Sequence, residues 1–192
     1  MSPRVGLEKK VILKAAADIA NSDGIDALSI TTLANHLHIK PPSLYNHVNS
    51  LQDLRRQLAV YGMEQLYHYL RESIGAHQKG ELAIKSLANS YITFARTQPG
   101  LYMVSLSAPD PLDEELYSTG EKIVKAVLDV LEPFGFEKEE ALHVVRGLRS
   151  ILHGFASLEH NGGFGLDLDR DESLNQLLDT YLLGIYTRNK NH

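Results

Sequence analysis

The sequence predicts an all-α fold of about nine helices, a three-helix head followed by a larger helical body. Three observations carry this. Apolar residues recur at three- and four-residue spacing through most of the chain, and no stretch shows the strict alternation of a strand. Glycine, proline and asparagine clusters fall between the periodic segments, where they interrupt helices. Between Ser29 and Leu54, two short periodic segments flank a tight turn and lead into a third, the spacing of a helix-turn-helix.

Residues 7–23 form the first amphipathic helix, with Leu7, Val11, Ile12, Ala15, Ala16, Ile19 and Ala20 on its inner stripe and Gly24 as its stop. Ser29 is the N-cap of a helix over 30–37, whose Ile30, Leu33, Ala34 and Leu37 share a buried face. His38 falls at the turn, and Ile39 plugs inward behind it. Pro41 and Pro42 then suit a helical first turn, because the N–H groups they lack have no intrahelical partner there. Leu44 and Val48, four apart, anchor this second short helix. Its outer face is Lys40, Pro41, Ser43, Asn46 and His47, with Tyr45 at the edge. Such a face, short, polar and rich in donors, suits a helix laid in the DNA major groove.

Asn49 or Ser50 caps a long fourth helix that keeps its stripe to Gly75, with Gln52 or Asp53 completing a capping box. Further helices are expected over 81–97 and 100–107, followed by a loop at Pro109 and Pro111. Asp113 caps a helix running to Leu131. A strongly apolar helix covers 137–159, an acidic loop 164–171, and a last helix 172–187. These divide into residues 1–50 as a helix-turn-helix domain and 51–192 as a larger helical body.

The totals bound the function. At 43% hydrophobic and 22% charged the composition is that of an ordinary globular protein, without an apolar run long enough to cross a bilayer. There is no cysteine and no apolar leader in MSPRVGLEKK, which fits a cytoplasmic protein. The net charge of −5 hides an asymmetry: residues 1–60 carry seven Lys or Arg against five Asp or Glu, and residues 61–192 carry twelve against nineteen. A small basic head on an acidic body touches phosphates with one end only.

With the first helix ending at Gly24, Ser29 through Ala34, and Leu44-Tyr45-Asn46-His47-Val48 in place, the chain resembles the TetR family of transcriptional repressors. The family's LYxH signature stands as Leu44, Tyr45 and His47, and the body has the family's length. The segment 148–173 resembles a WHG-type C-terminal domain, with His153-Gly154 as the HG pair and no counterpart to the Trp. Two departures stand out: His38 takes the place of the usual turn glycine, and Leu51 that of a lysine that reaches phosphate.

The resemblance implies a homodimer that reads a palindromic operator in double-stranded DNA and is released by a small-molecule effector. It implies that Tyr45 and His47 bond phosphates while Lys40, Pro41, Pro42, Ser43 and Asn46 face the groove. Ser29 and Thr31 would meet backbone phosphate. An effector pocket would draw on Tyr61, Tyr67, Tyr91, Phe94, Tyr102, Met103, His143 and His153, although aromatic stripes usually pack as plain core. The last two helices are apolar on more surface than a monomer covers, which suggests a two-fold four-helix interface. His153 and His160 are seven apart but lack a carboxylate at ligand spacing, so neither metal nor cofactor is expected. An enzyme is disfavoured because HExxH, GxSxG, a P-loop and paired catalytic carboxylates are missing. A helical protein-binding module that does not touch DNA remains the alternative.

Overall fold

The computed structural model describes residues 8–75, 78–106 and 113–189. Its α-helices are α1 (Lys9–Asp23), α2 (Ile30–His36), α3 (Leu51–Ser73), α4 (Glu81–Thr97), α5 (Pro99–Leu106), α6 (Glu114–Leu131), α7 (Lys138–His160) and α8 (Arg170–Asn189). Between α2 and α3 lies a 3-10 helix, Pro41–Asn46, called here the recognition segment. Among the described residues there is no strand, and no helix is long and apolar enough to cross a membrane. The predicted all-α fold holds, with the third of its nine expected helices formed as 3-10 rather than α. Six residues opening on two prolines are too few to propagate an α-helical ladder. The segment closes instead through Ser43 N–H to the Lys40 carbonyl at 2.9 Å and His47 N–H to the Leu44 carbonyl at 2.8 Å.

The chain divides into two compact units, Met1–Gln65 with Gln98–Thr119, and Leu66–Thr97 with Gly120–His192. The boundary predicted at residues 50 and 51 falls inside the first unit, and α5 belongs to that unit together with the helix-turn-helix.

In the first unit Ile12, Ala16, Ile19 and Ala20 of α1 are buried as expected, with Leu33, Ala34, Leu44, Leu54 and Leu58. Val11 corrects the predicted stripe: it is 46% exposed, while Leu13 and Ala17 are buried instead. The inward face is therefore turned by part of a helical step from the predicted one. Leu7, the loop at Pro109 and Pro111, and part of the break after Gly75 lie outside the described residues.

Helix α5 is keyed against α1 by backbone proximity. A Cβ built on Gly100 would stand 1.9 Å from the Ala20 carbonyl oxygen and 2.7 Å from the Asn21 nitrogen. The Asn21 side chain completes the joint. Its Oδ1 accepts the Leu101 N–H at 3.0 Å, capping α5 from a residue 80 positions earlier, and its Nδ2 donates to Gln98 Oε1 at 2.5 Å. Gly62 of α3 plays a milder version of this role on the other side, where a Cβ would lie 3.0 Å from the Leu101 carbonyl oxygen.

In the second unit α4, α7 and α8 enclose Phe94, Ile84, Leu87, Leu148, Leu152, Leu174 and Leu178. Arg96 grips Glu159 through two bonds of 2.8 and 2.9 Å, tying α4 to α7. Tyr181 of α8 donates to the Val144 carbonyl at 2.8 Å, over Gly147, where a Cβ would meet the phenol oxygen at 2.4 Å. Helix α8 starts two residues earlier than predicted. Asp169 Oδ1 accepts the N–H groups of Asp171 and Glu172 at 2.8 and 3.0 Å, which draws Arg170 and Asp171 out of the acidic loop into the first turn.

Replacing Gly100 with alanine forces a methyl into backbone atoms that no rotamer change can move aside. Gly100→Ala is expected to cost roughly 3 kcal/mol, read as a lower urea midpoint; an unchanged midpoint would contradict the close crossing of α1 and α5.

Candidate nucleic-acid interface

Helix α2 opens on a complete capping box: Ser29 Oγ accepts the Thr32 N–H at 3.0 Å, and Thr32 Oγ1 accepts the Ser29 N–H at 2.8 Å. The sequence identified Ser29 but not Thr32, whose hydroxyl also donates to the Ala27 carbonyl at 2.9 Å. Ser29 is half-buried and its hydroxyl serves the cap, while Thr31 beside it is exposed.

Helix α2 ends on a Schellman turn built around His38. The His38 N–H bonds the Asn35 carbonyl at 3.1 Å and the Ile39 N–H bonds the Ala34 carbonyl at 2.9 Å, with His38 at φ 54°. Histidine here adopts the left-handed conformation that favours glycine. It is the one described non-glycine residue with positive φ. The strain is of order 1–2 kcal/mol.

The recognition segment turns Leu44 inward, at 0% exposure, with Val48 buried one turn on. Lys40, Pro42, Ser43 and Asn46 are exposed, Tyr45 is 57% exposed, and Pro41 and His47 are half-buried. The structure therefore gathers Lys40 through His47 on one short element with its polar members accessible.

Charge on this tip follows from what is absent. Residues 27–52 contain no Asp or Glu, and the flanking cations are split in their duties. Arg55 donates to the Ile25 carbonyl at 3.3 Å, and Arg56 pairs with both Asp113 and Glu115 at the start of α6. Lys9, Lys10, Lys14 and Lys40 are exposed. Ser50 Oγ accepts the Asp53 N–H at 3.0 Å, and the Asp53 carboxylate accepts the Asn49 N–H at 2.8 Å, so the expected cap of α3 is Ser50 with Asp53 as its partner.

Against known proteins, the model described as "Tetracyclin repressor-like, C-terminal domain" matches residues 84–181. An uncharacterized HTH-type transcriptional regulator of Bacillus subtilis, YobS, is 40% identical over 192 residues, spanning 100% of this chain and 99% of that protein. The chain belongs to the TetR family of helix-turn-helix transcriptional regulators. Solved structures agree on the fold. A protein with unknown function from Rhodococcus sp. RHA1 superposes with a TM-score of 0.81 at 21% identity, covering 96% of this chain and 98% of that one. A TetR variant from Acinetobacter baumannii AYE, solved in complex with minocycline, gives 0.70 at 21% identity over 95% and 98%.

Within this TetR-family chain the eight residues predicted for an effector pocket are shared between the two units. Tyr61, Tyr102 and Met103 lie in the first unit, and Tyr67, Tyr91, Phe94, His143 and His153 in the second. Tyr91, Phe94 and Tyr102 are core residues, with Tyr69 packed edge-on against Phe94 at 5.2 Å. Burial pushes the Tyr61 phenol above its ordinary range. Met103, His143 and His153 are exposed, and His143 lines a surface groove of about 760 Å³ between α7 and α8. Family membership, not the lack of motifs, places the chain among regulators rather than enzymes. Gln57 was missed as a support of the recognition segment because its role depends on where α3 begins relative to that segment.

The Asn49 N–H, bonded at 2.8 Å, holds the Asp53 carboxyl below the usual carboxylate range. A folded-state value below the unfolded one, about 3.9, means stabilisation that is complete above that pH and lost as pH falls below it. Asp53→Asn should therefore flatten the fall of stability with acid; parallel decline of both proteins in denaturant titrations from pH 6 to 3 would exclude this role.

Proposed function

We propose that the protein is a ligand-responsive repressor that binds a palindromic operator as a homodimer and leaves it when a small-molecule effector occupies the body. The observation that carries this is the recognition segment, which buries Leu44 completely while leaving Lys40, Ser43, Tyr45 and Asn46 open on an acid-free tip. Tyr45, His47, Ser29 and Thr31 are assigned to phosphates, which set register. Lys40, Pro41, Pro42, Ser43 and Asn46 are assigned to base edges and thymine methyls, which specify sequence.

Dimerisation is assigned to α7 and α8. Leu142 and Leu158 on α7, and Leu177, Leu183 and Tyr186 on α8, remain exposed after the helices have packed on their own unit. A two-fold four-helix contact would cover them and set two recognition segments roughly 34–36 Å apart, one turn of DNA. The effector is expected among Tyr61, Tyr67, Tyr91, Phe94, Tyr102, Met103, His143 and His153, as the minocycline held by the A. baumannii relative suggests for a body of this fold. A coupling of about 1–3 kcal/mol between the two sites suffices for release. The C-terminal half is read as the WHG type, with His153-Gly154 as its HG pair, and the protein as cytoplasmic.

Two measurements test this. The full-length protein should retard its own promoter region at low salt, and Tyr45→Ala with His47→Ala should weaken binding to every duplex alike, because phosphate contacts carry no sequence information; no retardation by the wild type defeats the proposal. Leu183, 68% exposed on α8, tests the interface. Leu183→Asp should sediment as a monomer at concentrations where the wild type is a dimer, whereas a dimeric variant would move the interface elsewhere.

A further inference from the structure

The recognition segment has little structure of its own with which to hold an orientation. It is six residues long, 3-10 in its bonding, and buries one side chain, Leu44. Its C-terminal end is held by one face of α3, where Asp53 and Gln57 stand four residues apart and therefore one above the other. Asp53 secures the link to α3: its Oδ2 accepts the Asn49 N–H at 2.8 Å and Asn49 Nδ2 at 3.0 Å. One turn further on, Gln57 is only 8% exposed. Its Nε2 donates to the His47 carbonyl at 3.5 Å.

The backbone of His47 ends the recognition segment, and a carbonyl at a helix end has no partner within the helix. Gln57 supplies one from a different helix. At 3.5 Å the contact is near the limit of a hydrogen bond, so a small shift of α3 decides whether it is made. Gln57 Oε1 is itself buried without a partner. An apolar side chain of similar volume would fill the same space without that uncompensated acceptor, so the amide's value at this position lies in its donors.

We propose that Gln57 is a positioning residue for operator recognition: it ties the end of the recognition segment to α3, so that the placement of Lys40, Ser43 and Asn46 follows the second turn of that helix. This rests on the DNA-binding proposal above and adds to it a residue that touches no DNA.

The test uses the full-length protein. Wild type is first used to enrich duplexes from a random pool at low salt; failure to enrich any sequence overturns the DNA-binding proposal and this inference with it. With an enriched duplex in hand, Gln57→Met keeps the volume and removes both donors. Its affinity for the enriched duplex should fall about tenfold or more, while that for a scrambled duplex of equal length stays within about twofold. The slope of log affinity against log salt should not change, because every phosphate partner is still in place. Enriched-duplex affinity within about twofold of wild type, or equal losses on both duplexes, overturns the positioning role while leaving DNA binding intact. Should Gln57→Met fail to fold, Asp53→Ala removes the other arm of the tether from a half-buried site. The same split between the two duplexes supports the role, and uniform or absent loss refutes it.

Discussion

Everything at the tip of the helix-turn-helix depends on a segment too short to fold by itself being held from outside. Six residues opening on two prolines cannot nucleate a stable helix in water. The recognition segment persists because Leu44 and Val48 are sunk into the head and because the chain on either side is capped. The Schellman turn at His38 fixes its entry. Ser50, Asp53 and Gln57 fix its exit. The result is a polar face whose exposure is set by neighbours rather than by its own hydrogen bonds. The strained His38 fits this view, since its left-handed conformation lasts only where the surrounding structure over-determines it.

The head is also larger than its motif. Helix α5 arrives almost a hundred residues after α1 begins, yet the two meet so closely that Gly100 leaves no room for a methyl against Ala20. Asn21 supplies the cap that α5 lacks locally. Glycine is needed there for proximity, not for backbone freedom. Arg56 adds a charged joint within the same unit, where it pairs with Asp113 as that residue caps α6 and draws the Asp113 carboxyl below its usual range. A unit assembled from two distant stretches of chain cannot be altered at α5 without reaching the helices that frame the recognition segment.

The second unit is governed by a surplus. Leu148, Leu152, Leu174, Leu178 and Leu182 satisfy its core, but α7 and α8 still present Leu142, Leu177 and Leu183 outward. Between them lies a largely apolar groove. Single exposed leucines are unremarkable in a soluble protein, but several on two adjacent helices form a face of the kind used for association. Tyr181 and Gly147 fix how α8 lies on α7, and so fix which side chains compose that face.

Much of this was legible in the sequence. Period and punctuation located nearly every helix, because amphipathic spacing and caps are local properties: Ser29, Gly24, Asp113 and the Pro41-Pro42 start each act within a few residues of themselves. The outward set Lys40, Ser43 and Asn46 follows from the same local logic, whereas the turn at His38 was marked by the resemblance, in which glycine usually holds that position. Tertiary structure decided the remainder. It turned Val11 outward and divided the eight aromatic and polar residues expected in one pocket between two units; the start of α8 at Arg170 and the 3-10 form of the third helix are local effects, of the Asp169 cap and of the two prolines, that periodicity does not register. It alone joined Asn21 to α5 and Gln57 to the His47 carbonyl. Periodicity tells which face of a helix is apolar, but not which distant helix will cover it or which buried polar group it will meet. That depends on pairings between residues far apart in the chain, which only the folded structure brings within bonding distance.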